Sequence, residues 1–126
     1  MQKIMKIVLI DDDEDLCDLL KMELEACGRF QVTTSTQSES ALALIKTELP
    51  DLAILDINMP ETHGVEVASS LAQDPQTAAI PVLYLTGMVT PEEVDQIGGG
   101  HTLRTLISKQ SPISELITAI DSLIRS

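Results

Sequence analysis

The chain has 126 residues, of which 44% are hydrophobic, and its formal net charge is -12. This length is that of one domain with a sizeable core, and the acidic charge disfavours nucleic acid and anionic membrane surfaces as partners. No stretch is long and apolar enough to span a bilayer, and no signal-peptide pattern opens the chain. Cys17 and Cys27 lack the spacing of metal or redox sites, so we expect these thiols to serve packing. Together these features predict a reducing, cytoplasmic compartment.

The chain begins with a strand pattern followed by a helix pattern. A continuous apolar run over residues 4–10 predicts a strand that is buried on both faces. A stripe at helical spacing over about residues 14–27 predicts a helix, and Gly28 is a suitable C-terminal stop. The inner face of this helix is predicted to be Leu16, Leu19, Leu20, Leu24 and Cys27.

The same order of elements follows immediately. A short strand is predicted near residues 30–33, and Thr36 with Glu39 forms a capping-box pattern that predicts the start of a second helix. Pro50 predicts the end of that helix. Its predicted inner face is Ala41, Leu42, Ile45 and Leu49.

The middle of the chain adds two more apolar strands. The third strand carries Asp56 at its end, and a loop with Pro60 and Gly64 leads to a helix over residues 65–71. Residues 81–86 predict the fourth strand because they are nearly all apolar.

The last part of the chain predicts two helices and a short strand. Thr90 and Pro91 open a capping box with proline in the first turn, and the glycines at 98–100 must end that helix. A fifth strand is predicted near residues 105–108. Ser111 and Pro112 then open a final helix with one apolar face, formed by Ile113, Leu116, Ile117, Ile120 and Ile124.

Strands and helices in regular alternation predict right-handed crossovers and a parallel sheet flanked by helices. In such a sheet the C-terminal ends of all strands lie at one edge, where open α/β folds bind their ligands. The polar residues at those ends are Asp11, Asp12 and Asp13 after the first strand, Asp56 and Asn58 after the third, Thr86 after the fourth and Lys109 after the fifth.

This set of polar groups has a definite chemistry. Crowded carboxylates repel one another unless a cation joins them, and oxygen-only ligands favour a hard divalent ion such as Mg²⁺. The hydroxyl of Thr86 offers a hydrogen bond, and the ammonium of Lys109 offsets anionic charge. We therefore predict a site for a phosphoryl group, where positioning and charge neutralisation dominate catalysis. Asp13 suits the N-cap of the first helix better than a ligand position.

The chain resembles the receiver domains of two-component response regulators, in particular the stand-alone chemotaxis-type receivers (CheY-like). The resemblance covers essentially the whole chain, and it is carried by Ile10-Asp11-Asp12, Asp56-Ile57-Asn58-Met59-Pro60 with Gly64, Leu85-Thr86-Gly87, and Lys109. It implies a doubly wound (βα)5 flavodoxin-like fold whose five parallel strands have the order 2-1-3-4-5. It also implies a single receiver domain over residues 1–126 without an output domain.

The resemblance implies a role for each matching residue. Asp56 would be the phosphoacceptor that attacks a phosphohistidine of a sensor histidine kinase or a histidine phosphotransfer protein. Asp11, Asp12, Asp56 and the backbone carbonyl of Asn58 would hold Mg²⁺. Thr86 would bond a phosphoryl oxygen, Lys109 would pair with the phosphoryl group, and Gly87 would leave room for the donor.

Two positions depart from the family pattern. Family members usually have a cis proline after the lysine, but Gln110 follows Lys109 here, and a non-proline cis bond costs roughly 3 kcal/mol against about 0.5–1 before proline. We expect a trans bond with a rearranged loop, and a strained cis bond is the alternative. Leu106 stands where the family usually has an aromatic residue, which favours an output through loop movement over threonine–aromatic coupling.

The leading hypothesis is a phosphorylatable switch without enzymatic turnover beyond its own phosphorylation and dephosphorylation. It would bind an unknown downstream protein and act as a monomer or a weak phosphorylation-dependent dimer. The alternatives are a degenerate receiver that binds its partner without phosphorylation and a Mg²⁺-dependent aspartyl phosphohydrolase. The hydrolases usually need a second acid two residues after the nucleophile, and that position is Asn58 here.

Overall fold

The fold is built around a sheet of five parallel strands. The computed structural model describes residues 4–56, 64–87, 106–109 and 111–125. The strand order is β2-β1-β3-β4-β5, which confirms the predicted 2-1-3-4-5 order and the flavodoxin-like fold class. The strands are β1 (Met5–Ile10), β2 (Phe30–Ser35), β3 (Leu52–Asp56), β4 (Val82–Thr86) and β5 (Leu106–Ser108).

Four α-helices lie in the described part of the chain. They are α1 (Glu14–Glu25), α2 (Ala41–Glu48), α3 (Gly64–Gln73) and α4 (Ile113–Arg125), with a 3-10 turn at Ser38–Ser40 before α2. The helix predicted to start at Thr90 and the glycines at 98–100 lie outside the described residues. None of the four helices is both long and apolar enough to cross a membrane.

The apolar strands form a core on each face of the sheet, because alternate side chains of a strand point to opposite faces. We call these the α1–α4 core and the α2–α3 core, after the helices that cover them. The α1–α4 core includes Ile7, Leu9, Leu24, Ile54, Leu85, Leu116 and Ile120. The α2–α3 core includes Val8, Ile10, Ala41, Ile45, Leu55, Val67, Leu71 and Tyr84.

The ends of α1 agree with the sequence, but part of its predicted inner face does not. Asp13 is the N-cap and its Oδ1 accepts a hydrogen bond from the Leu16 N–H at 3.1 Å, as predicted. Gly28 has a φ of 77° and turns the chain after the helix. The prediction that Cys27 packs inside is wrong, because the helix ends at Glu25 and leaves that thiol exposed. Leu19 is also 46% exposed.

The start and end of α2 also differ from the prediction. Thr36 and Glu39 do not form the predicted helix cap, since a 3-10 turn intervenes and the helix begins at Ala41. The Oγ of Ser35 instead accepts the Gln37 N–H at 3.1 Å. At the other end, Leu49 was predicted to face inward.

That prediction for Leu49 is wrong. The residue caps α2 in a left-handed conformation with a φ of 45°, and its side chain is 53% exposed. The helix has already ended at Glu48, so the helical period no longer sets the direction of the next side chain.

Strand β2 lies at one edge of the sheet and is joined to α1 by a side chain. Oε2 of Glu25 accepts a hydrogen bond from the backbone N–H of Val32 at 3.0 Å. The guanidinium of Arg29 makes two hydrogen bonds to the carboxylate of Asp121, at 3.0 and 3.1 Å. These contacts join the β2 edge to α1 and α4.

Candidate functional site

Four polar side chains meet at the C-terminal edge of the sheet. Asp11 follows β1, Asp56 ends β3, Thr86 ends β4 and Lys109 follows β5. Asp11 and Thr86 are 0% exposed and Asp56 is 2% exposed, although acids are rarely so buried without a partner. The structure thus brings together four side chains that the sequence placed at separate strand ends.

Lys109 is the partner of both buried acids. Its Nζ lies 2.9 Å from Oδ2 of Asp11 and 3.1 Å from Oδ2 of Asp56. Its backbone N–H donates to the carbonyl of Thr86 at 2.7 Å, which continues the β4–β5 pairing by one residue. The strand pairing therefore holds the lysine at the sheet edge, and its side chain crosses to β3 and β1.

The two carboxylate oxygens of Asp11 have different surroundings. Its Oδ1 accepts the Asp13 N–H at 2.9 Å, and its backbone carbonyl accepts the thiol of Cys17 at 3.4 Å. Its Oδ2 is buried and has no hydrogen bond in the described part of the chain. The contact of that oxygen with Lys109 is close enough for an ion pair but not directed as a hydrogen bond, so a lone pair stays available.

The protonation equilibria of the site follow from burial and charge. Burial raises the pKa of Asp11 and outweighs the lowering by the Asp13 N–H and by Lys109. Burial alone would lower the pKa of Lys109, but its contacts with Asp11 and Asp56 outweigh that effect and raise the pKa. The lysine is therefore a cation at neutral pH, and the site is an acidic pair around one ammonium.

The carboxylates are suitable ligands for a divalent cation. Carboxylate oxygens of Asp11, Asp12 and Asp56 lie within 4.8 Å of one another. The Oδ2 of Asp11 is a buried carboxylate oxygen that already faces one cation, the ammonium of Lys109, and a hard ion such as Mg²⁺ binds oxygens of this kind. Asp12 is exposed and gives the group a side that is open to water, which Mg²⁺ usually retains in its shell.

The end of β4 contributes polar groups to the site, and free space lies next to it at Gly87. Thr86 is the cross-strand partner of Ser108, so two hydroxyl-bearing residues stand beside each other next to Lys109. Apart from Gly87 itself and its two chain neighbours, no described heavy atom lies within 4 Å of the point where a Cβ would stand at Gly87. This space agrees with the expected room for an incoming donor.

Two predicted positions fall outside the described residues. These are Asn58, the predicted carbonyl ligand, and Gln110, whose bond to Lys109 was expected to be trans. Two residues near the site were missed, namely Ser108 and Cys17. The position of Ser108 directly before Lys109 would have indicated the first, but no sequence signal indicates the hydrogen bond of Cys17 to Asp11.

Comparison with known proteins points to one family. The family model described as response regulator receiver domain matches residues 7–121. The alkaline phosphatase synthesis transcriptional regulatory protein PhoP of Bacillus subtilis is 39% identical over 94 residues, which are 75% of this chain and 37% of PhoP. The phosphate regulon transcriptional regulatory protein PhoB of Rhizobium meliloti is 33% identical over 121 residues, or 95% of this chain and 52% of PhoB. The chain thus spans about half of these relatives or less.

A solved structure supports the fold. The chemotaxis response regulator CheY4 of Vibrio cholerae matches with a TM-score of 0.82 and 23% identity, covering 96% of this chain and 99% of that one. At this identity the match concerns the arrangement of strands and helices. It agrees with the observed strand order.

Proposed function

Because the chain belongs to the receiver-domain family of response regulators, we propose that Asp56 accepts a phosphoryl group from a phosphohistidine. The donor would be a sensor histidine kinase or a histidine phosphotransfer protein. The observation that carries the proposal is the contact of Lys109 with Asp11 and Asp56 at the edge of the sheet, at 2.9 and 3.1 Å. One ammonium thereby offsets part of the charge of two buried acids at the position where an anionic group would arrive.

In the proposed reaction a carboxylate oxygen of Asp56 attacks the phosphorus atom. A P–O bond forms to Asp56 while the P–N bond of the donor breaks, and the electron pair of that bond returns to the imidazole. The ammonium of Lys109 would pair with the phosphoryl group on Asp56, since its Nζ already lies 3.1 Å from Oδ2 of that residue. Thr86 would donate its hydroxyl to a phosphoryl oxygen, because it ends β4, the strand that pairs with the one ending at Asp56.

Asp11, Asp12 and Asp56 are the proposed ligands of Mg²⁺, with the carbonyl of Asn58 as a further predicted ligand. When bound, the ion would offset the charge that develops on the phosphoryl oxygens. Asp11 is the best supported of the three, because its Oδ2 is buried without a hydrogen bond in the described residues. Its other oxygen is fixed by the Asp13 N–H, which sets the direction of the carboxylate.

Signalling is the general role of this family, and the finer assignments are part of the proposal. Phosphorylation of Asp56 would change the surface that a downstream protein binds, and hydrolysis of the acyl phosphate would reset it. The domain would carry out no turnover beyond its own phosphorylation and dephosphorylation. Its action as a single receiver domain over residues 1–126, and as a monomer or weak dimer, stays a prediction.

The test is incubation with Mg²⁺ and acetyl phosphate, followed by intact-mass measurement of wild type and Asp56→Asn. We expect wild type to gain the mass of one phosphoryl group through an acid-stable, base-labile bond, and Asp56→Asn to gain none. Asp51→Asn is the matched control, because Asp51 precedes β3 at the opposite edge of the sheet from the site, where its Oδ2 accepts the Lys6 N–H.

Incorporation of the same amount into Asp56→Asn would contradict the assignment of the phosphoacceptor. Absence of incorporation into wild type, with no effect of Mg²⁺ on its melting temperature, would favour the receiver that binds without phosphorylation. Sustained hydrolysis of many phosphoesters would favour the phosphohydrolase.

A further inference from the structure

We infer that Tyr84 is a positioning residue for Thr86, and that its ring couples the candidate site to the layer of side chains beneath it. The inference rests on the proposed function, because the movement to be coupled is the response of Thr86 to a phosphoryl group on Asp56. It departs from the expectation drawn from Leu106, since the aromatic ring stands on β4 as the register partner of that leucine. Its basis is the strand register and the packing around one tyrosine.

The ring lies at the centre of the layer below the site. Tyr84 is the register partner of Leu55 on β3 and of Leu106 on β5. Leu55 directly precedes Asp56, and Leu106 comes three residues before Lys109. The tyrosine therefore touches the two strands that carry the phosphoacceptor and the lysine, at a spacing between strands of about 4.8 Å.

Tyr84 and Thr86 share one face of β4. They are two residues apart on the strand, so their side chains leave on the same side, about 6.6 Å apart along it. Tyr84 is 2% exposed and Thr86 is 0% exposed. A rotamer change at Thr86 has no solvent to move into, so the packed neighbours on this face must move with it.

The ring of Tyr84 packs among the apolar side chains of one core. Tyr84 belongs to the α2–α3 core, and Leu106 packs against that core while remaining partly buried. Within the described part of the chain the phenol has no hydrogen-bond partner, and burial raises its pKa. A ring packed in this way can shift with Thr86, and no hydrogen bond of the phenol to a described residue has to break.

The composition of the chain supplies a direct readout. Tyr84 is the only tyrosine and the chain has no tryptophan, so emission excited at wavelengths longer than those that Phe30 absorbs comes from this ring. We expect phosphorylation with acetyl phosphate and Mg²⁺ to change the tyrosine emission of wild type in proportion to the phosphorylated fraction measured by mass. In Asp56→Asn the same mixture should leave the emission unchanged.

The route through Thr86 is tested with Thr86→Val, which keeps the shape of the side chain and removes the hydroxyl. We expect this variant to accept phosphate more slowly, and its emission change per phosphorylated molecule should be largely lost. An emission change of wild-type size per phosphorylated molecule in Thr86→Val would overturn the inference.

Substitution of the ring supplies the second test. We expect Tyr84→Leu to lower the initial rate of phosphorylation by about tenfold to 100-fold, because small misplacement of a reacting group has effects of this size. Tyr84→Phe, which retains the ring, should stay close to wild type. Leu83→Ala is the matched control, since Leu83 is equally buried on β4 but faces the α1–α4 core, and it should lose stability without this loss of rate.

The outcomes separate the inference from the proposed function. Phosphorylated wild type with unchanged emission, or Tyr84→Leu with an unchanged rate, would overturn the inference and leave the proposed function standing. A wild type that gains no phosphate would overturn both. The emission test is made on proteins that keep Tyr84, so the coupling is tested even if Tyr84→Leu does not fold.

Discussion

Lys109 contacts the same two carboxylates that would hold a divalent ion. The Nζ of Lys109 lies 2.9 Å from Asp11 and 3.1 Å from Asp56, so its ammonium adjoins two of the proposed Mg²⁺ ligands. Binding of Mg²⁺ must then proceed against the positive charge of the lysine, at least until the side chain moves toward an incoming phosphoryl group. The lysine thus has opposite effects on the metal and on the phosphoryl group.

We predict that Lys109→Gln binds Mg²⁺ about tenfold more tightly than wild type, a difference of about 1.4 kcal/mol, because a neighbouring like charge is removed. Phosphorylation from acetyl phosphate should be slower in the same variant. Calorimetric titration with MgCl₂ measures the first effect. Lys46→Gln is the control, because it removes the same charge from a separate ion pair with Asp74. Weaker binding of Mg²⁺ by Lys109→Gln would refute the competition.

Cys17 is a buried thiol whose titration affects stability. Burial, together with the charge of Asp11, raises the pKa of Cys17 from 9.0 to about 11. Below pH 9 both the folded and the unfolded chain keep this proton, whereas between pH 9 and 11 only the unfolded chain loses it. The free energy of unfolding should therefore fall as the pH rises through this window, by up to about 2–3 kcal/mol.

Urea unfolding below pH 9 and near pH 11, in wild type and Cys17→Ala, measures this contribution. The variant should lack that part of the decrease, whereas Cys27→Ala should retain it because the thiol of Cys27 is exposed. An equal decrease in wild type and Cys17→Ala would show that the thiol does not titrate as inferred.

Among the elements, α2 shows where the sequence pattern stops being informative. The spacing of Ala41, Ile45 and Leu49 is that of one helix face, and the first two are indeed buried. Leu49 follows the same spacing but lies beyond the last helical residue. A helix end depends on local backbone geometry, which hydrophobic spacing does not encode.

We predict that Leu49→Gly is more stable than Leu49→Ala by about 1 kcal/mol. Leu49 has a φ of 45°, where a Cβ meets the following carbonyl and glycine does not. Both variants lose the same side chain, which is 53% exposed, so their difference isolates the backbone effect. Chemical denaturation of the two variants measures it. Equal stabilities would mean that the left-handed cap is not strained.

The sheet itself could be predicted far better than the helix ends. Continuous apolar runs before Asp11 and Asp56 predicted two central strands, and their parallel arrangement placed both acids at one edge. The contact of Lys109 with both acids could not be predicted in the same way. It depends on the path of a long side chain across neighbouring strands, which the position of a residue in the sequence does not define.

For the whole molecule, the net charge of -12 means that a simple salt such as NaCl should stabilise the fold by screening the repulsion between like charges. We predict an additional effect of MgCl₂ over NaCl at equal ionic strength. A ligand that binds only the folded state stabilises it by about 2.7 kcal/mol at a hundredfold excess over its dissociation constant. Thermal unfolding in the two salts measures the difference.

The additional stabilisation should disappear in Asp11→Asn, which lacks one proposed ligand. Asp121→Asn is the control, because its carboxylate pairs with Arg29 on a different part of the molecule. An equal effect of MgCl₂ and NaCl on wild type would argue against specific binding, whereas a specific effect that persists in Asp11→Asn would exclude Asp11 as a ligand.

The hydrogen bond from Val32 to Glu25 has a consequence for how copies of this molecule meet. The carbonyls of Arg29 and Ser35 face β1, so residues 30, 32 and 34 direct their backbone groups away from the sheet. The middle one of these donors is already occupied, and it is covered by a carboxylate. A foreign strand that approached β2 would have to displace this acid, so ordered growth of the sheet and edge-to-edge aggregation are disfavoured on that side.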